Sequence, residues 1–547
     1  MRSHGLSKRA WQEPGSDRRR VIGRTFAAAC ALGAAASVGT LAPAAAQTLG
    51  PLVQITTDDP FANCTADKVA QQETALGPAA VLFPNTAIEP WVAIDPTTHN
   101  LLVGHQQDRW SDGGARGLVG NISTDGGSTW TETIPGGVTE CTGGTFARAS
   151  DPWVTFSPNG HAFFSSLVVN PGRVTFEALQ SGQQVSRSTD HGATWEAPIT
   201  LVTDGADVLN DKNSITADPN DSNFVYTVWD RLVKGASNGP FNSDGVVIAQ
   251  SRPIGPHPSR GPTLFTRTTN GGDTWEKPRV IFDPGVNGQT LNNQTVVLPD
   301  GDVLVFFTEF LPTGAVNIAF VRSTDKGFTF DGTPTIATDI QVVRAVTPDE
   351  LAAVRDSSDI FSVNVNPANG ALYLVWQDCR FGTNDCASST PVDDIAFSQS
   401  LDGGKTWSAP VMINKTPQDL SNPLRQQAII PAITSAGNGE LIVTYYDFRN
   451  DTSEDGKELL DYFAIFCTAN CTSATSWGSE LQLTTGAIAS FNRLDAPDAA
   501  GHFLGDYMGL VASGSNVTPV FGAVTGHNLT ADFTRTITLP TKTASKH

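Results

Sequence analysis

Ser123-Thr-Asp125-Gly-Gly127-Ser-Thr129-Trp130 is the stretch on which the fold turns. It recurs as Ser188-Thr-Asp190-His-Gly192-Ala-Thr194-Trp195 and as Thr268-Thr-Asn270-Gly-Gly272-Asp-Thr274-Trp275. Two further copies are Ser323-Thr-Asp325-Lys-Gly327-Phe-Thr329-Phe330 and Ser400-Leu-Asp402-Gly-Gly404-Lys-Thr406-Trp407. Each reads as a tight hairpin turn. The Asp or Asn accepts turn hydrogen bonds, glycine supplies a positive φ, and the closing aromatic packs beneath. One copy would mean little. Five copies with a shared aromatic end mark a repeat architecture.

Strands surround each copy. An apolar run ending in a turn comes first: Pro90–Pro96, Pro152–Pro158, Ser214–Pro219, Gln294–Pro299, Phe361–Pro367, Ala428–Ile433 and Tyr507–Ser513. A second run follows each, at Leu101–Gln107, Ala162–Val168, Val225–Trp229, Val303–Thr308, Leu372–Gln377, Leu441–Tyr446 and Thr518–Ala523. A spacing of about 60–80 residues suits four-stranded blades set around an axis. The pattern therefore predicts an all-β propeller of four-stranded blades. Seven first strands predict seven blades, the last completed by an N-terminal strand near Leu52–Thr57. Six blades with a long terminal extension is the alternative. The sixth copy of the turn is degenerate, Cys471-Thr-Ser-Ala-Thr-Ser-Trp477, and a Cys467–Cys471 link is expected to stand in for it.

The chain has 547 residues, 35 Lys+Arg and 55 Asp+Glu, for a formal charge of −20. That balance argues against nucleic-acid binding, which needs a basic face. Its 51 Gly and 34 Pro suit short strands and turns, not a coiled coil or bulk disorder. Residues 1–46 read as a cleavable export signal, for either the Sec or the twin-arginine route. Arg18, Arg19, Arg20 and Arg24 precede an Ala/Gly-rich apolar stretch, and Ala44-Ala45-Ala46 closes it. Losing this leader, with its seven basic and two acidic residues, would leave a charge near −25. No other segment approaches 18 uninterrupted apolar residues, so no membrane span is expected after signal removal. Residues 47–547 are expected to form one domain, secreted, periplasmic or at the cell surface, acting as a monomer. Six cysteines remain, an even number in an exported chain, which points to disulfides. Proximity pairs Cys379 with Cys386 and Cys467 with Cys471, leaving Cys64 for Cys141, although other pairings stay open.

The S-x-D-x-G-x-T-W pattern resembles the Asp-box, or BNR repeat, of the sialidase (neuraminidase) superfamily of β-propellers. The resemblance covers nearly all of residues 47–547. It implies that the boxes are structural turns on the face away from the active site, which leaves Asp125, Asp190, Asp325 and Asp402 no catalytic part. It implies a secreted glycoside hydrolase acting on glycans, in its narrowest form an exo-α-sialidase. In such enzymes a neutral tyrosine is the nucleophile because the substrate carries its own carboxylate. A glutamate activates the tyrosine, an aspartate is the acid/base, and three arginines hold the substrate carboxylate. Tyr507, in Gly505-Asp506-Tyr507-Met508-Gly509-Leu510, stands in a similar late position before a Y-x-x-L segment. Asp151 corresponds to the acid/base and Glu309 to the activator. Arg109, Arg231, Arg380 and Arg449 are the clamp candidates. The family's F/Y-R-I-P motif is missing. Glu89-Pro90-Trp91 holds its place, and Arg252-Pro253-Ile254 lies between the second and third boxes.

The second-strand ends carry a carboxylate at one register. They read Gln107-Asp108-Arg109, Trp229-Asp230-Arg231, Thr308-Glu309-Phe310, Gln377-Asp378-Cys379-Arg380 and Tyr446-Asp447-Phe448-Arg449. Entries to the first strands add Glu89, Asp151, Asp211, Asp359 and Asp506. In a propeller these ends open on one rim. Acids and guanidiniums are expected to meet there, as a glycan site or as Arg–Asp pairs tying blade to blade. A hydrolase using two rim carboxylates, Asp151 with Asp378 or Asp447, is a variant of the enzymatic reading. A non-catalytic glycan- or protein-binding propeller is the alternative from another class, with Trp91, Trp110, Trp153, Trp229 and Trp376 as stacking faces. The chain has no P-loop and no H-E-x-x-H. No cofactor and no metal is expected, and the acidic loop Asp447–Asp455 lacks EF-hand spacing.

Overall fold

Apolar runs of strand length, broken by Gly, Asn and Asp, fold into antiparallel sheets in the computed structural model. It describes residues 46–76, 80–171, 178–233, 260–418, 420–451, 457–485 and 494–540. The export signal, Arg252-Pro253-Ile254 and the acidic residues between Asp451 and Lys457 lie outside the described residues.

Among the described residues, four-stranded antiparallel sets follow one another along the chain. The first is Leu82–Ile94, Leu101–Trp110, Ala115–Ser123 and Thr131–Thr133. The second is Arg148–Phe156, Ala162–Pro171, Ala178–Ser188 and Ile199–Gly205. The third is Val208–Ala217, Val225–Val233, Thr263–Thr268 and Arg279–Phe282. The fourth is Gln289–Val297, Val303–Phe310, Val316–Ser323 and Thr335–Asp339. The fifth is Ser362–Val365, Leu372–Asp378, Asp394–Ser400 and Val411–Met412. The sixth is Ala428–Ser435, Leu441–Asp447, Asp461–Cys467 and Leu481–Gln482. The last joins Gly509–Ser513, Asn516–Gly526 and Leu529–Thr534 to the N-terminal strand Val53–Gln54.

First strands pack on first strands in sequence order, and Gly509–Ser513 packs back on Leu82–Ile94. The first and last described strands meet in one sheet, which covers an edge that would otherwise template aggregation. Second strands such as Leu101–Trp110 and Val303–Phe310 are buried along their whole length, because both faces lie between neighbouring sheets. No helix among the described residues is long and apolar enough to cross a membrane.

The repeated octapeptides are turns between third and fourth strands. In the first, Ser123 Oγ donates to Asp125 and accepts from the Gly127 N–H at 2.8 Å. The Thr129 N–H and hydroxyl both donate to the Asp125 carboxylate, at 2.9 and 2.7 Å. The same bonds recur at Asp190, Asp325 and Asp402. At Asn270 the Thr274 N–H donates to Oδ1 at 3.0 Å, while the second bond is reversed, the amide nitrogen donating to the Thr274 hydroxyl at 2.9 Å. Neighbouring turns are also tied together. Arg187 reaches forward to the carbonyl of Gly271, Arg267 to those of Asp325 and Lys326, and Arg322 to that of Gly403. Where glycine is replaced, the side chain reaches back: His191 Nδ1 lies 2.6 Å from Asp95, and Lys326 Nζ 2.6 Å from Asp221. Disulfides join Cys64 to Cys141, Cys379 to Cys386 and Cys467 to Cys471.

The first strands differ from expectation in one respect that shapes the site. Most begin well before the apolar run, and five are interrupted by a two-residue bulge. Register slips between Ile88 and Trp91, Ser150 and Trp153, Asp211 and Ser214, Leu291 and Gln294, and Ile429 and Ala432. The first residue of each bulge is left-handed: Glu89 (φ 56°), Asp151 (51°), Lys212 (47°), Asn292 (59°) and Ile430 (52°). Glu89 and Asp151 are therefore not loop entries. They sit inside strands, and the bulge re-aims them.

Candidate functional site

Three of these bulge residues meet. The Lys212 ammonium contacts the Asp506 carboxylate and lies 3.8 Å from Asp151 Oδ2. The Lys212 backbone N–H donates to the same Asp151 oxygen at 3.1 Å, and Ser150 Oγ donates to Asp151 Oδ1 at 2.8 Å. Glu89 joins through the Asp506 N–H, which donates to Glu89 Oε1 at 3.0 Å. The Gln106 amide donates to the other Glu89 oxygen. Arg355 holds Asp506 from the connection before the fifth set, its Nε 2.9 Å from Oδ1, and Ser357 donates to the same oxygen. Arg109 bonds Gln106 Oε1 at 2.8 Å. Both Arg109 and Arg355 lie over the Phe503 ring, at 5.1 and 4.3 Å.

An aromatic floor adjoins this cluster. Trp91 and Trp153, each following a bulge proline, stack with centroids 3.4 Å apart. Tyr507 meets both edge-on, at 5.9 and 5.1 Å. Its hydroxyl donates to the Pro152 carbonyl at 3.0 Å. The cluster is closed to solvent: Glu89 is 1 % exposed, Asp151 and Asp506 3 %, Lys212 6 % and Tyr507 8 %. Segments around Ala353–Arg355 and His502 run over it, joined by Arg355 N–H to His502 O (3.0 Å) and His502 N–H to Ala353 O (2.9 Å).

Electrostatics drive Glu89 and Asp506 apart. Burial, then Asp506 and Asp151, pushes Glu89 well above the usual carboxylate range, against Lys212 and Arg109. Burial also acts to raise Asp506, but Arg355 and Lys212 outweigh it and hold Asp506 well below that range. Lys212 loses hydration, yet its carboxylate neighbours keep it firmly protonated. Tyr507 is pushed well above 10 by burial and by Glu89, Asp151 and Asp506. Two neighbouring buried carboxyl groups are thus pushed in opposite directions, the separation that acid–base chemistry requires.

The other rim residues go elsewhere. Arg231 pairs with Asp204 at 2.8 and 3.0 Å, while Asp230 accepts from Thr290 and Asn293. Arg380 bonds Asp378 at 2.7 Å and reaches Asp339. Arg449 bonds Asp447 at 2.6 Å and also Glu480. Asp108 takes Asn85 N–H at 2.8 Å and Arg116 at 3.4 Å. Three of the four clamp arginines are thus spent on separate local carboxylates, correcting the expected clamp. Glu309 bonds Asn317 and is raised by burial; the charges acting on Tyr507 come from Glu89, Asp151 and Asp506.

Lys212 and Arg355 were not anticipated. Aligning the bulges would have exposed Lys212, since it shares a register with Glu89 and Asp151, whereas Asp211 is one position off. Arg355 sits in a connection outside the repeat, where periodicity carries no signal.

No protein-family profile matches the chain, and neither does any curated protein. Solved structures do. A protein of unknown function from Dyadobacter fermentans aligns at 13 % identity over 84 % of this chain and 98 % of its own, with a TM-score of 0.42. A Hadza microbial sialidase aligns at 14 % over 78 % and 75 %, TM-score 0.42. An α-L-arabinanase from Penicillium chrysogenum aligns at 12 % over 67 % and 92 %, TM-score 0.39.

Proposed function

We propose that the chain is a seven-bladed Asp-box propeller and an exported, glycan-directed hydrolase whose reaction runs between Glu89 and Asp151. The seven successive four-stranded sets, the last returning to the first, support the blade count. The observation that carries the activity is the meeting of Glu89, Asp151 and Asp506 from three separate sets, with burial raising Glu89 while Arg355 and Lys212 lower Asp506. Glu89 donates its proton to the leaving oxygen. Asp151 is the second carboxylate, acting on the anomeric carbon or on water. Asp506, fixed by Arg355 and Lys212, keeps the charge pattern that holds the Glu89 proton.

The exo-α-sialidase form of this reading needs Tyr507 as nucleophile. Its hydroxyl donates to the Pro152 carbonyl instead of a carboxylate, which favours the two-carboxylate form. The non-catalytic glycan-binding reading draws on one observation of its own, the separate pairing of Arg231, Arg380 and Arg449.

A panel of neutral aryl glycosides and sialosides separates these readings. Turnover of a neutral substrate is expected, reduced about 10²–10⁴-fold in Glu89→Gln and in Asp151→Asn but retained in Tyr507→Phe. Turnover of sialosides alone, abolished in Tyr507→Phe, would restore the tyrosine mechanism. Saturable glycan binding without any turnover would establish the binding protein.

A further inference from the structure

A second feature lies on the axis, apart from the charged cluster. A cavity of about 320 Å³ is bordered by the first strands of the fifth, sixth, last and first sets. Small-molecule sites start at about 300 Å³. Its lining contains no ionisable side chain. Polar groups come from Ser362, Asn364, Thr434 and Ser435, and Trp91 and Met508 complete it. Trp91, Ser362 and Met508 also line a cell of about 10 Å³ beside Asp506 and Tyr507, so the cavity adjoins the carboxylate cluster.

The four bordering strands each pair along one edge only. On the other side the Ile433 N–H donates to Ser362 Oγ and the Val363 N–H to Gln294 Oε1, both at 3.3 Å, so the polar groups of the lining are chiefly the side chains of Asn364, Thr434 and Ser435. A charged ligand would find no counter-charge here, and a hydrocarbon would strand these polar groups. A polyhydroxylated molecule satisfies them, because each hydroxyl both donates and accepts. Trp91 is held by its stack on Trp153, so little freedom is lost when a ligand packs on it. We infer that the axial cavity binds a neutral, polyhydroxylated molecule of monosaccharide size. The inference does not depend on catalysis at Glu89 or Asp151.

Calorimetric titration of the full chain tests it, with D-glucose, D-galactose, N-acetyl-D-glucosamine and myo-inositol as probes and D-glucuronate as the anionic control. At least one neutral probe should bind at a single saturable site, with glucuronate about tenfold weaker or worse. Thr434→Leu and Ala512→Phe fill the cavity and should weaken that binding at least about tenfold while the unfolding temperature holds. Glu89→Gln should leave it intact, which separates this site from the carboxylate cluster. No binding by any neutral probe, equal binding in a folded filled variant, or glucuronate binding as tightly would overturn the inference. If both filled variants unfold, crystals soaked with the bound probe decide: density for it in the cavity supports the inference, and water alone overturns it.

Discussion

At Asp532 a carboxyl group is placed where water cannot reach it. Burial pushes it up to about 8, and neither oxygen has a hydrogen-bond partner among the described residues. The group facing it is His105, whose Nδ1 lies 3.8 Å away and which burial lowers to about 4, so it is neutral at physiological pH. The sign of the linkage follows. Below about pH 4 the carboxyl is protonated both folded and unfolded. Between about pH 4 and pH 8 only the unfolded chain ionises, so stability falls as pH rises. Urea unfolding across this range should show a shallower fall in Asp532→Asn than in the parent; parallel curves would contradict the assignment. The same scale explains what could be read from residues alone. Asp151, Asp506 and Tyr507 were legible because turn spacing locates the first strands. The arginine clamp was misjudged because Arg380 and Arg449 each find a carboxylate two residues back, a local bond that long-range reasoning passes over.

The octapeptide turn works as a clasp as well as a hairpin. The arginine before a turn donates to the next turn's carbonyl, and a histidine or lysine within the turn reaches back to a preceding carboxylate. Charge-assisted bonds of this kind contribute about 1.5–3 kcal/mol when well shielded, and these are partly exposed. Arg187→Ala and Arg322→Ala should each cost about 1 kcal/mol in chemical denaturation, and the double variant should be additive within about 0.5 kcal/mol. Strong non-additivity would mean that the clasps act as one network. Strand order and turn position were readable from periodicity. The bulges were not: a two-residue slip preserves the alternation on either side, so nothing in the apolar pattern marks it. Proline at 90, 152 and 431 is the trace it leaves, since proline is tolerated where ladder bonds are broken.

Over the whole molecule, the bulges explain why residues more than 400 positions apart share one site. Repetition packs first strand on first strand, and in five of them a bulge re-aims one side chain. Asn292 spends that position on structure, donating to the Phe361 carbonyl. Glu89, Asp151 and Lys212 depart from this, and Asp506 joins them from the last set. Their mutual neutralisation limits the cost of burying charge, and their unequal proton affinities are what a hydrolase would use. The most direct measurement is a crystal of the inactive Glu89→Gln variant soaked with a neutral oligosaccharide that the parent cleaves. The account predicts a pyranose ring with its scissile oxygen near residue 89 and its anomeric carbon within about 3–3.5 Å of the Asp151 carboxylate or of a water it holds. Oligosaccharide bound instead at the outer rim, beside Arg231, Arg380 or Arg449, with the axial cluster still closed, would contradict it.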